Sequence, residues 1–201
     1  RKIDNQSSHI SGGTINLNAY SLNNTSGTLQ SETGNLKSNI KLITNTSGKI
    51  KSQGSLTFDA LSTLTNQNGL LFANKNLTAK NITNFKGKIE SGGTLTLTHD
   101  SRILDNRYGT ISGFGTNSVI KIDLNKEFKN DHGKLLSDND IYLTVKNALT
   151  TTGEIEAGDQ LHIKATSLKN TGVLRSGGNM VLTASTKDFT NNNTIKSNKS
   201  I

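Results

Sequence analysis

Apolar residues in this chain are few, and over short stretches they alternate with polar ones. Leu95-Thr96-Leu97, Ile141-Tyr142-Leu143-Thr144-Val145 and Leu161-His162-Ile163-Lys164-Ala165 each send every second side chain to one face, the period of a strand with one buried side. The alternation is itself periodic. Ile43-Thr44-Asn45-Thr46-Ser47-Gly48-Lys49-Ile50-Lys51-Ser52 returns as Ile82-Thr83-Asn84-Phe85-Lys86-Gly87-Lys88-Ile89-Glu90-Ser91. It returns again, shortened, as Leu168-Lys169-Asn170-Thr171-Gly172-Val173-Leu174-Arg175-Ser176. An Asn marks each unit, at Asn5, Asn24, Asn45, Asn66, Asn84, Asn106, Asn130, Asn170 and Asn191, with Thr151 in the remaining slot; the marks lie 18 to 24 residues apart.

Each unit offers three short strands separated by Asn/Gly and Ser/Gly corners. A hairpin arrangement would need a tight turn at every corner, whereas a near-constant period is the mark of a chain that coils. If each unit winds once round an axis, every strand pairs in parallel with its copy in the next unit. The prediction is an all-β, right-handed parallel β-helix of about ten coils of roughly 20 residues, one array over residues 1–201. Three inward columns follow. The first is Ile3, Leu22, Ile43, Leu64, Ile82, Leu104, Phe128, Leu149, Leu168, Phe189. The second is Ile10, Leu29, Ile50, Leu71, Ile89, Ile111, Leu135, Ile155, Leu174, Ile195. The third is Ile15, Leu36, Leu56, Leu77, Leu95, Ile120, Ile141, Leu161, Met180, Ile201.

Composition then reads as a consequence of coiling. Asn, Thr and Ser make up 73 of 201 residues and hydrophobic residues 31%, too polar for packed helices but enough for a few columns. The Asn residues Asn24, Asn45, Asn66, Asn84, Asn106, Asn130, Asn170 and Asn191 are expected to stack into an amide ladder. Gly and Asn are expected to carry the positive-φ conformations of the corners. Small residues (Ser31, Ser52, Ala73, Ser91, Ser137, Ala157, Ser176, Ser197) mark a second corner. The chain has no Pro, which would remove ladder donors, and no Cys, which excludes disulfides. No apolar run is long enough to span a membrane.

Candidate chemistry is sparse. His9, His99, His132 and His162 fall in different units at different phases, so no metal-ligand set and no cofactor motif is expected. His99 takes the slot that Ala19, Ala60, Ala165 and Ala184 hold, at the margin of the core. Asp138, Asp140 and Asp159 approach one corner of adjacent units, near Glu154 and Glu156. Such carboxylates could cleave a glycan or hold calcium, but charge on a solvated face explains them more simply. The net charge is +8, and Lys49, Lys88 and Lys134 share one repeat position, interrupted by Leu70 and Thr110 and ended by Glu154. That stripe suits acidic glycans or lipopolysaccharide; with no nucleic-acid motif, nucleic acid is not expected as a partner. Over residues 99–128 the repeat lengthens and becomes irregular. Arg107, Tyr108 and Phe114, with Lys126, Lys129 and Tyr142 beyond them, form a candidate partner-binding patch, because the scaffold does not require such residues and they are common binding anchors. Phe114 could instead fill a wider coil.

The pattern Asn-x-x-Gly-x-Ile-x-Ser-x-Gly-x-Leu-x-Leu-x-Ala resembles the haemagglutinin repeat of bacterial filamentous haemagglutinin-like exoproteins. These include two-partner-secretion adhesins, haemolysins of that class and contact-dependent growth inhibition exoproteins. The resemblance covers essentially the whole chain and weakens between His99 and Phe128. It implies a non-enzymatic segment of a secreted virulence filament at the bacterial cell surface, associated with the outer membrane, whose shaft carries adhesive segments or projects a toxin. Implied partners are a receptor or glycan on a host or neighbouring cell, and an outer-membrane secretion partner met through an N-terminal region. Repeats run from Ile3 to Ile201 without an amphipathic cap, so the secretion signal, caps and any effector are expected elsewhere in a longer chain. Two other classes compete with the shaft: a specific receptor- or glycan-binding module, and a carbohydrate-active β-helix enzyme.

Overall fold

The computed structural model describes residues 1–59, 63–100 and 103–201. Every regular element among them is a β-strand, so no helix long and apolar enough to cross a membrane is present there. The chain winds as a right-handed parallel β-helix of about nine turns of about 21 residues. Ten rungs stacked at ~4.8 Å make a rod roughly 45 Å from first rung to last.

Three faces make the cross-section, numbered here from the Asn corner. The first face is a ten-stranded sheet of uniform four-residue strands, from His9–Gly12 through Lys49–Ser52 and Lys88–Ser91 to Thr194–Ser197. The second carries longer strands such as Thr94–His99, Val119–Leu124 and Asp140–Val145. The third holds strands of two or three residues, such as Leu104–Asp105 and Leu149–Thr151, which return the chain to the Asn corner. In the first coils the second and third faces fuse: Ile15–Asn23 and Leu36–Thr44 each run nine residues without a break. Coils are numbered one to ten by the corner residues Asn5 to Asn191.

The second predicted column stacks in register through all ten rungs, the third from Ile15 to Met180, and the first in three runs, Ile3 to Ile82, Leu104 to Phe128 and Leu149 to Phe189. Ile50 lies opposite Leu29 and Leu71, Leu95 opposite Leu77 and Ile120, Leu22 opposite Ile3 and Ile43. Their interior members are almost fully buried, and each buried Leu or Ile contributes about 1.5–3 kcal/mol. At the last rung the columns open, so Phe128 is 2% exposed and Phe189 47%. The second face adds two inward columns beyond the predicted three. One pairs Leu17 with Ser38, Ser38 with Phe58, Leu97 with Ile122 and Leu143 with Ile163; the other pairs Ala19 with Ile40 and His99 with Leu124. Ala60 lies outside the described residues.

The Asn corner is a hydrogen-bonded spine. Asn5, Asn24, Asn45, Asn66, Asn84, Asn106 and Asn130 are linked head to tail, each Nδ2 donating to Oδ1 of the next at 2.6–2.7 Å. The other amide hydrogen goes to a backbone carbonyl of the next coil, as from Asn45 to Leu70 at 3.1 Å. At coil eight the slot holds Thr151. The amide of Asn130 there reaches only the carbonyls of Gly133 and Glu154, and the chain of side chains restarts with Thr151 Oγ1 donating to Asn170 at 2.6 Å.

One expectation is corrected at this corner. The left-handed backbone conformation falls not on the repeat's Gly but on the second residue after the corner Asn, and there only Asn68 is of the expected types: Ser7, Ser26, Ser47, Asn68, Lys86, Tyr108 and His132 have φ of 52° to 58°. The Gly serves clearance instead, since a β-carbon at Gly48 would collide with the backbone oxygen of Asn24 in the coil before. From coil eight the corner loses one residue (Thr151-Thr152-Gly153, Asn170-Thr171-Gly172), and the left-handed position disappears with it.

Candidate binding surface at the asparagine corner

The two residues that follow each corner Asn point away from the core in coils one to seven. In coils one to four they are Gln6-Ser7, Thr25-Ser26, Thr46-Ser47 and Gln67-Asn68; in the next three they become Phe85-Lys86, Arg107-Tyr108 and Asp131-His132. Stacking of coils brings these into one ledge. Tyr108 packs on His132 in a parallel stack with centroids 5.1 Å apart, and meets Phe85 edge-on at 6.1 Å. Lys86 and Arg107 both lie over the Phe85 ring, at 5.4 and 5.5 Å. Arg107 is held by a two-pronged bond to Asp105, from Nε at 2.9 Å and Nη2 at 2.7 Å. Partial burial pushes the Asp105 carboxyl up, but the hydrogen bonds and charge of Arg107, with the charge of Lys129, together hold it below the ordinary range.

Beside the ledge runs a shallow groove of about 320 Å³ across coils three to six. It is lined by Ser47, Lys49, Asn68, Leu70, Lys86, Lys88, Tyr108 and Thr110 with the intervening glycines. Tyr108 belongs to the last of these coils and closes the groove, backed by His132 one coil further on.

The six predicted partner-binding residues occupy several places. Arg107 and Tyr108 share the ledge, and Lys129 lies opposite Asp105 on the third face beside it. Lys126 lies in the turn after Val119–Leu124, between the second and third faces. Tyr142 points outward on the second face, stacked on His162 at 4.9 Å. Burial pushes its phenol up, and the charges of Asp140 and Asp159 add to the shift. Phe114 lies outside the coil: its ring crosses Gly92 of coil five, where a β-carbon would approach it to 2.9 Å, and stacks on Phe72 of coil four at 5.7 Å. Coil six has five residues, 114–118, where the coils on either side have two, and the three extra residues make this outward fold. Gly115 turns there with φ of 93°, and Ser118 supplies a hydroxyl 3.0 Å from Ser137 where Gly113 has none.

The carboxylates weighed for catalysis hold the scaffold. Asp138 accepts from the Gly115 amide at 2.7 Å and Asp140 from the Gln160 amide at 3.1 Å. Glu154 bridges Lys134 at 3.0 Å and Arg175 at 3.2 Å, easing repulsion along the lysine stripe. His99 is buried, its Nε2 accepting the Ile82 amide at 2.9 Å. Among the described residues no group of three or more His, Asp or Glu is placed to hold a metal ion.

A family model described as the haemagglutinin repeat matches residues 2–59, 33–116 and 129–195, most of the chain. The chain belongs to the haemagglutinin repeat family. Among curated proteins and solved structures, none matches it. The haemagglutinin repeat is typical of non-enzymatic shafts in secreted surface exoproteins. Residues 117–128 fall outside the matched segments, directly after the outward turn at Gly115. Within this haemagglutinin-repeat chain, sequence reading overlooked Phe85, Lys86 and His132 as neighbours of Tyr108. The signal was present: all occupy the two positions after the corner Asn, in consecutive units.

Proposed function

We propose that this chain is a shaft segment of a large two-partner-secretion exoprotein, anchored at the bacterial outer membrane, that extends or displays a cell-attachment or toxin-delivery activity. The observation that carries this reading is the unbroken stacking of the first face through all ten rungs, with columns and ladder that give stiffness along one axis. The backbone bonds made by Asp138 and Asp140 favour it over a carbohydrate-active enzyme.

The test is a deletion in register within the full-length exoprotein. Removing residues 5–44, two whole coils, joins Asp4 to Asn45 and shortens the rod by about 10 Å. Export, surface display and attachment or delivery are expected to persist. Loss of attachment or delivery, with export and display intact, would show that these coils themselves carry the activity. A second reading, a specific glycan-binding module, is favoured by the aromatic and cationic ledge alone.

A further inference from the structure

The corner supplies its own internal control. Coils one to four close it with Gln, Thr, Ser and Asn, so the fold requires nothing larger, yet coils five to seven place Phe85, Lys86, Arg107, Tyr108 and His132 there. Tyr108 is the most conspicuous case. It is 56% exposed and has φ of 58°, a conformation costly for a bulky residue and easier for Ser or Asn. Burial does not compensate for that cost. His132 and Phe85 orient the ring, while Asp105 orients Arg107 against Phe85. A ledge fixed in this way loses little freedom on binding.

The groove that Tyr108 closes has three lysines and no carboxylate among its lining residues. Lys88 reaches out to Glu90 at 2.9 Å; Lys49 and Lys86 have no carboxylate partner among the described residues. Ser47, Asn68 and Thr110 offer neutral hydrogen-bonding groups, and Leu70 an apolar floor. Four rungs give the groove a length of roughly 15 Å, room for a short oligosaccharide.

We propose that this groove binds an acidic saccharide, with the apolar face of a pyranose against Tyr108 and its carboxylate or sulfate between Lys86 and Lys49. The proposal rests on the shaft reading only in that the rod displays the site. A single-stranded nucleic acid would need a row of open ring platforms, whereas here one ring, Tyr108, closes the groove, and Phe85 and His132 both pack on that ring.

The experiment measures binding to the 201-residue protein at low ionic strength, where charge contacts are least screened. Four probes are compared: a uronic-acid hexasaccharide, its carboxyl-reduced neutral form, a sulfated hexasaccharide and a thymidylate hexanucleotide. At least one acidic saccharide is expected to bind, with the two acidic probes distinguishing carboxylate from sulfate, and the neutral form at least about tenfold more weakly. Tyr108→Ser and Lys86→Ser should each weaken binding by about tenfold. Both restore the residue that coils one to three carry at this position, so the fold is kept; Lys164→Ser, on the second face, should change nothing. The proposal is overturned if no acidic saccharide binds at millimolar concentration, if the neutral form binds equally, if the hexanucleotide binds more tightly, or if both serine variants bind like the unaltered protein. Deleting residues 5–44 leaves the groove in place, so failure here and failure of the shaft reading are told apart.

Discussion

Gly48 lies directly above the backbone oxygen of Asn24, so close that a β-carbon on Gly48 would collide with it. Gly69 stands in the same relation to Asn45, and Gly87 to Asn66. The residue before each glycine, Ser47 in the first case, carries the left-handed turn with φ of 53°. Clearance and conformational freedom are therefore required of two neighbouring residues, and only clearance is met by Gly.

Gly48→Ala should destabilise the rod strongly, by more than about 2 kcal/mol, because two backbones must separate to admit the methyl group. Ser47→Gly should have the opposite sign and gain up to about 1 kcal/mol by relieving the left-handed conformation. Urea unfolding followed by circular dichroism checks both. Equal effects at the two positions would contradict this division of roles.

Asn66 accepts from Asn45 and donates to Asn84, both at 2.7 Å, and donates again to the carbonyl of Lys88 at 3.1 Å. Asn66→Asp keeps the shape and the acceptor but loses both amide hydrogens, placing a carboxylate against three oxygens, those of Asn84, Lys88 and Gly69. It should cost at least about 3 kcal/mol. The same change at the exposed Asn191 should cost much less. Thermal unfolding of the two variants gives the comparison.

Thr151 interrupts the ladder although it lies in register with Asn170. Asn170 has the same shortened corner and still donates to Asn191 at 2.9 Å, so the short corner tolerates an amide. Thr151→Asn should join the two halves of the ladder and raise stability by about 1 kcal/mol. A lower unfolding midpoint would show that the corner geometry excludes it.

Asp105 titrates below the ordinary carboxylate range in the folded protein because of Arg107 and Lys129, despite its partial burial. Its contribution is therefore complete above the unfolded value of about 3.9 and disappears as pH falls through the lower folded value. Asp105→Asn should lower the melting temperature at neutral pH, and the difference from the unaltered protein should shrink toward zero in strong acid. Melting curves from pH 2 to 7 measure it; a difference independent of pH would remove the carboxylate from the account. The effect should be modest, since the pair is partly exposed and screened.

Much of this architecture was legible from spacing alone. Parallel in-register pairing places chemically equivalent positions of successive units over one another, so Leu29, Ile50 and Leu71 had to share a column once the period was known. The inward columns through Leu17 and Ala19 were harder to see, because their slots also hold Ser38 and His99, which break the apolar pattern although both are buried.

The sequence by itself determined the period, the parallel β-helix, the main core columns and the family, because each depends on what repeats along the chain. Only the tertiary structure decided where the left-handed turn falls, that Phe114 folds back over Gly92, and that Phe85, Lys86, Arg107, Tyr108 and His132 form one ledge. These features depend on corner backbone geometry and on contacts between side chains of different coils, where the repeat tolerates variation because it leaves those side chains outside the core.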